Sequence, residues 1–264
     1  MDDAWATVDA LAVDAEHGAA EIAQRAARTL PHIPRQELPD AIETLLRGHP
    51  QMGPLWRLAS DVLSSPDAAS GAQAFLGRLT GDTQAISALA RTVPDVILTI
   101  SYSSTVKEAI RVRRPRQVLC MRSDPGGEGL KMLGSISEYT DASVIPDDEA
   151  LTTVPAKAVV VGVDAITPTS LLNKIKTGRL AEAARNANVP SFAVAGETKF
   201  VPDELPVGEP FEAASLELFS GIATPMGVIT PPQAMSHAAS VELHPALRKL
   251  VGRITDEPAE DSVS

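Results

Sequence analysis

One cysteine, Cys120, occurs in 264 residues, so no internal disulfide can form and multi-cysteine metal sites are excluded. A reducing, cytoplasmic setting is the default for such a chain. No apolar run approaches the eighteen or so residues of a membrane-spanning helix. The first residues, MDDAWATVDA, lack the basic and apolar regions of a signal peptide, and an intracellular protein with no membrane partner is expected. Neither a GxGxxG fingerprint nor a GKS or GKT loop is present, so the usual dinucleotide and P-loop readings fail. His17, His32, His49, His237 and His244 stand at no metal-ligand spacing, which favours surface or capping roles; neither a metal nor a cofactor is expected. Positive charge is also short. Lys and Arg number 23 against 34 Asp and Glu, a formal charge of −11, which disfavours general affinity for nucleic acid. Small anionic ligands stay open, because a few placed cations and helix N-termini can hold a phosphate within a negative protein.

What is there divides the chain in two. Up to about Thr92 the apolar residues recur at helical intervals, as in Leu11, Ala12, Ala15, Ala19, Ile22, Ala23 and Ala26, with further stripes over 38–47, 51–64 and 70–92. Breaks such as TLPHIPRQELP, GHPQMGP and SSPDAASG carry Pro or Gly. This predicts a bundle of about four or five helices over 1–93. From Pro94 short β-branched runs alternate with helical stretches. Strands are expected at Val96–Ile100, Gln117–Met121, Ser143–Pro146, Val159–Val163 and Phe192–Ala195, and helices at Ser104–Arg113, Gly129–Tyr139 and Ser170–Asn186. Phe211–Glu217 and Gly221–Ile229 are candidate further strands. The fold class is therefore α/β, a helical N-terminal bundle joined to a Rossmann-like, mostly parallel sheet domain over 94–254. The acidic end, residues 255–264, reads as a disordered tail.

Ligands of open α/β sheets gather where the strands end, so the βα junctions hold the candidate residues. At the first, ISYSSTVKEAI, the hydroxyls of Ser101, Ser103, Ser104 and Thr105 crowd a helix N-terminus. They can cradle a phosphate or carboxylate, or a serine can simply cap the helix. At the second, Arg122 is a phosphate partner unless Asp124 pairs with it, and the glycines of PGGEG allow close backbone approach or merely a turn. Cys120, inside its strand, reads as a small buried hydrophobe rather than a nucleophile. At the third, Asp164 follows the apolar Val159–Val163 and is joined by Asn173 and Lys174. A carboxylate buried there can shuttle a proton and a lysine can fix a phosphate or polarise a carbonyl; alternatively Asp164 caps the next element. Lys199, in ETKF, brings a further cation to the same edge.

The motifs HGAAEIA (17–23), HPQMGPLWRLA (49–59), ILTISYSSTVKEAI (97–110), VVVGVDAITPTSLLNKIKT (159–177) and ETKF (197–200) together resemble the translation initiation factor 2B alpha/beta/delta superfamily. That superfamily also holds methylthioribose-1-phosphate isomerase and archaeal ribose-1,5-bisphosphate isomerase. The resemblance implies dimerisation through the sheet domain, sometimes into hexamers, and a ligand that is a sugar phosphate or nucleotide. It also implies that Asp164 matches the isomerases' proton-moving aspartate, while Ser101 stands where they carry a catalytic cysteine, as in the regulatory branch. His17-Gly18-Ala19 stands where they carry an Arg-Gly-Ala phosphate motif, and Arg122-Ser123-Asp124-Pro125 replaces a Glu-Ser-Arg-Pro loop. The expectation is a regulatory subunit-like protein. In it Asp164 and Ser101 hold the catalytic positions, and Gly18, Ser103, Ser104, Thr105, Arg122, Asn173, Lys174 and Lys199 bind the phosphorylated ligand. The alternative is an aldose–ketose isomerase with Asp164 shuttling the proton and Ser101 orienting the substrate.

Overall fold

The computed structural model describes residues 2–256. Six helices come first: α1 (Asp2–Ala12), α2 (Ala19–Thr29), α3 (Leu38–Gly48), α4 (Gly53–Ser64), α5 (Ala68–Thr80) and α6 (Asp82–Thr92). The number exceeds the four or five expected because the apolar stripes over 11–26 and 70–92 each run across two helices. Gly81 ends α5, its N–H donating to the Arg78 carbonyl, and is at once the N-cap of α6. Alternation follows: β1 (Val96–Ile100), α7 (Ser104–Arg113), β2 (Gln117–Met121), α8 (Glu128–Ile136), β3 (Asp141–Ile145), α9 (Asp147–Thr153), β4 (Ala158–Gly162), β5 (Ala165–Ile166), β6 (Ser170–Lys174), α10 (Thr177–Asn186) and β7 (Ser191–Val194). The chain ends through β8 (Phe211–Ser215), β9 (Gly221–Thr224), β10 (Gly227–Ile229), α11 (Pro231–Ser240) and α12 (Pro245–Asp256). The stretch expected as a tail begins inside α12, and its remainder, 257–264, lies outside the described residues.

Seven strands form the main sheet in the order β10-β9-β7-β4-β1-β2-β3, parallel except for β10 against β9. Leu98 of β1 stands beside Leu119 of β2 and Val159 of β4. Both faces are covered, which is why these strands read as continuous apolar runs. Ile97, Val118 and Val160 pack on one face with α6, α7 and α8, while Leu98, Leu119 and Val159 pack on the other with α9, α10 and α11. Each such side chain fully removed from water contributes about 1.5–3 kcal/mol. A separate core unites α1–α5 with α12 around Trp56 and Phe75, both fully buried. Packing thus groups α6 with the sheet and α12 with the first helices.

Ser170–Asn186, expected as one helix, is β6 followed by α10. β6 is the centre of a three-stranded sheet, antiparallel to β5 and β8, with Leu171 opposite both Ile166 and Ala214. Leu171 faces the main sheet's core and Leu172 the helical core, so consecutive leucines are both buried and no alternation marks the strand. The candidate strand Gly221–Ile229 is likewise a hairpin of β9 and β10.

The chain runs outward from β1 to β2 and β3, then returns to lay β4 on the other side of β1. That reversal leaves a crevice beyond the C-terminal ends of β1 and β4. No helix among the described residues is long and apolar enough to cross a membrane.

Candidate functional site

A cavity of about 670 Å³ occupies this crevice, bounded by the strand ends on one side and by the starts of α2 and α4 on the other. β1 gives way to Ser101, whose φ of 60° is left-handed and whose N–H donates to Ser123 Oγ at 2.8 Å. Ser103 then caps α7, its Oγ accepting from the Val106 N–H at 3.3 Å. A Cβ at Gly162, the last residue of β4, would lie 2.3 Å from Ser103 Oγ, so only glycine lets the cap cross the strand end. Gly18 caps α2 across the cavity, near the Ser104 hydroxyl, with its N–H donating to the Glu21 carboxylate at 3.2 Å. Two helix N-termini therefore face the cavity together, each with the positive end of its dipole. Ser103 serves as the cap, and Ser101, Ser104 and Thr105 line the cavity beside it.

Asp164 is fixed by its main chain. Its N–H donates to the Leu172 carbonyl at 2.8 Å, and its carbonyl accepts the Gly53 N–H at 3.0 Å, which ties the start of α4 to the end of β4. Glycine is required at 53, because a Cβ there would be 2.8 Å from the Lys199 carbonyl. The Asp164 carboxylate lines the cavity and accepts no capping hydrogen bond among the described residues. Burial raises its pKa, against the opposing pull of Lys199, Lys174 and His49. Lys199, on a single 3₁₀ turn, is only 5% exposed. It lines the cavity with no acid within ion-pair distance among the described residues. Burial lowers its pKa, while Asp164 and Asp82 work to raise it.

Lys174 Nζ lies 2.6 Å from Glu128 Oε1 and 4.9 Å from the centre of the Phe211 ring. Asn173 Nδ2 donates to Thr177 Oγ1 at 3.0 Å. The cavity thus gathers Gly18, Ser101, Ser103, Ser104, Thr105, Asp164, Asn173, Lys174 and Lys199. Arg122 stands apart, exposed, with Nε 3.2 Å from Asp124 Oδ1; of the two alternatives at that loop, the geometry shows the ion pair. Cys120 is fully buried in β2, and burial pushes its thiol up to about 12.

Side chains outside the expected set also line the cavity, among them His49, Glu128 and Lys131. His49, expected at the surface or in a cap, is buried instead, because its Nε2–H reaches back to the carbonyl of Leu11 at 2.7 Å near the end of α1. Burial lowers its pKa, against the opposing pull of Asp14 and Asp164, and in the neutral ring Nδ1 is an acceptor. Lys131 Nζ donates to the Glu16 carbonyl at 2.5 Å and stands 4.7 Å above the Tyr102 ring, linking the two halves of the molecule over the cavity mouth. Such a site can hold an anion on helix N-termini and ammonium groups, and a desolvated carboxylate can move a proton. Among the described residues no group of three or more His, Cys, Asp or Glu could hold a metal ion.

A model of the initiation factor 2 subunit family matches residues 9–219. A putative translation initiation factor eIF-2B subunit 2-like protein of Pyrococcus horikoshii is 28% identical over 237 residues, 74% of this chain and 83% of that protein. The crystal structure of the translation initiation factor eIF-2B of Pyrococcus horikoshii superposes with a TM-score of 0.79 at 25% identity, covering 89% of this chain and 99% of that one. At the level of fold alone, the tetrameric eIF2B-beta2-delta2 complex of C. thermophilum has a chain with a TM-score of 0.71 at 16% identity, covering 89% and 93%. The 5-methylthioribose 1-phosphate isomerase of Pyrococcus horikoshii gives 0.63 at 18%, covering 95% and 88%.

Proposed function

This chain belongs to the initiation factor 2 subunit family, and we propose that within it the protein is a regulatory, subunit-like member whose cavity binds a small phosphorylated ligand, a sugar phosphate or nucleotide, without efficient turnover. The observation that carries this reading is Lys199, 5% exposed and unpaired among the described residues. A desolvated ammonium with no acid in direct contact is costly, and a phosphate in the cavity would supply a direct partner. The N-termini of α2 and α7, with Asn173 and Lys174, border the same space. In this reading the sheet part, 94–254, carries the ligand, the helical part, 1–93, covers it, and the protein works in the cytoplasm as a homodimer or larger homo-oligomer. That a protein of this fold forms a tetrameric eIF2B-beta2-delta2 complex supports an oligomer, though of unlike chains.

Ser101 argues against efficient isomerisation. Its hydroxyl is a far weaker acid than a thiol, whose ordinary pKa is about 8.5, and Cys120 is buried away in β2. The second reading, an aldose–ketose isomerase, draws on Asp164, whose raised pKa suits proton transfer. Calorimetry with ribose 5-phosphate and adenosine 5′-monophosphate tests binding. Incubation with ribose 1,5-bisphosphate and methylthioribose 1-phosphate, followed by NMR for ketose, tests turnover. Binding without ketose supports the first reading; ketose that vanishes in Asp164→Asn replaces it with the second.

A further inference from the structure

We propose that the cavity selects a ligand with one phosphate and a hydroxyl-bearing remainder over a bisphosphate, and that Glu128 makes the selection. This rests on the reading of the cavity as a phosphate site. Three ammonium groups line the cavity, and two already have acids. Lys174 is paired with Glu128 at 2.6 Å, with both side chains 23% exposed, and Lys131 is paired with Glu16 at 3.6 Å. Only Lys199 lacks an acid within ion-pair distance among the described residues, and Asp164 lies close enough to act on its charge. Glu209, exposed at the rim, adds negative charge. One phosphate therefore finds, in the same cavity, the ammonium of Lys199 and two helix N-termini. A second would have to displace Glu128 from Lys174 or lie against it, and like charges at such range repel strongly.

The same carboxylate is an acceptor-only group with several lone pairs, suited to hydroxyls that a sugar or nucleoside presents beside its phosphate. As the first residue of α8, Glu128 is also held by the favourable end of that helix dipole. The carboxylate is thus part of the cavity wall. Specificity of this kind comes from a repulsive element as much as an attractive one.

The test is calorimetry on the full chain and on Glu128→Gln, with inorganic phosphate, ribose 5-phosphate and ribose 1,5-bisphosphate, after circular dichroism shows the variant folded. The wild type should bind ribose 5-phosphate at least about tenfold more tightly than the bisphosphate. Glu128→Gln should remove or reverse that preference, chiefly by tightening the bisphosphate. Lys174→Gln, which leaves Glu128 uncompensated, should widen it, and decides the matter if Glu128→Gln does not fold. Equal or tighter bisphosphate binding by the wild type, or a Glu128→Gln change that shifts both sugars by one factor, overturns the selection while leaving the phosphate site standing. No binding of any of the three overturns the phosphate-site reading, and the selection with it.

Discussion

Ser101 and Ser123, at the C-terminal ends of adjacent strands, both adopt left-handed φ values, 60° and 66°, and are joined by a hydrogen bond of 2.8 Å from the Ser101 N–H to Ser123 Oγ. Ser123 Oγ in turn donates to the Met121 carbonyl at 2.9 Å, and the Ser123 N–H donates to Asp147 Oδ1 at 2.7 Å. Asp147 closes the series on Lys176 Nζ at 2.5 Å. Burial works to raise the Asp147 pKa, but Lys176 and the N–H groups of Ser123 and Asp124 outweigh it and hold the carboxylate low. Backbone in the left-handed region costs non-glycine residues about 1–2 kcal/mol, so a bonded scaffold of this kind is what keeps the turn at the cavity wall.

Ser123→Ala should leave the buried Ser101 N–H without its acceptor. The expected loss is about 1–3 kcal/mol, read from the urea midpoint, with a severalfold weaker affinity for ribose 5-phosphate as the Ser101–Ser103 turn relaxes. An unchanged midpoint would show that the turn is held by other means.

Lys199→Met separates binding from stability. The ammonium is buried and unpaired among the described residues, so its removal relieves desolvation while taking a positive charge from Asp164 and Asp82. The two effects oppose each other, so the urea midpoint should move less than binding does, whereas affinity for ribose 5-phosphate should fall more than about tenfold, the size of a lost charge-assisted contact. Calorimetry and urea titration on one preparation measure both.

Asp82, the first residue of α6, has a pKa pushed up by burial to about 6, from an ordinary 3.8. The folded protein holds this proton more tightly than the unfolded chain does, so stability falls as pH rises from about 4 to 6 and the cost is fully present above that window. Asp82→Asn should therefore raise stability by about 3 kcal/mol at pH 7.5, at 1.36 kcal/mol per unit, and by little at pH 4. Urea midpoints at five pH values would show the two curves converging on the acid side; parallel curves would sink this account.

Gly53→Ala should strain the contact between α4 and the site. Its Cβ would meet the Lys199 carbonyl at 2.8 Å and Ala165 Cβ at 3.2 Å. Overpacking of this order costs about 1–3 kcal/mol, and the displaced turn should also lower ribose 5-phosphate affinity. Gly134→Ala, where an added Cβ meets nothing within 4 Å, is the control and should be neutral or slightly stabilising.

The strand-end residues Asp164, Asn173, Lys174 and Lys199 were legible in the sequence because doubly covered strands give continuous apolar runs and their ends are where polar side chains converge. β6 was not. Leu171 and Leu172 face different cores, and the strand owes its conformation to β8, far along the chain, with Ala214 opposite Leu171. The helix boundary at Gly81 was hidden for a simpler reason, since the apolar period runs on through α5 into α6 while the two pack on different cores.

By itself the sequence determined the α/β class, the helical first part and the polar residues after β1 and β4, because these depend on local period and on residue type at strand ends. Tertiary structure decided which of those residues share one cavity. It drew His49 in through the Leu11 carbonyl, set Glu128 against Lys174, left Lys199 unpaired in the wall, and turned Arg122 out to Asp124. Charge pairing and burial depend on distances between segments far apart in the chain, and those distances are set by how α2, α4 and α8 dock around the strand ends.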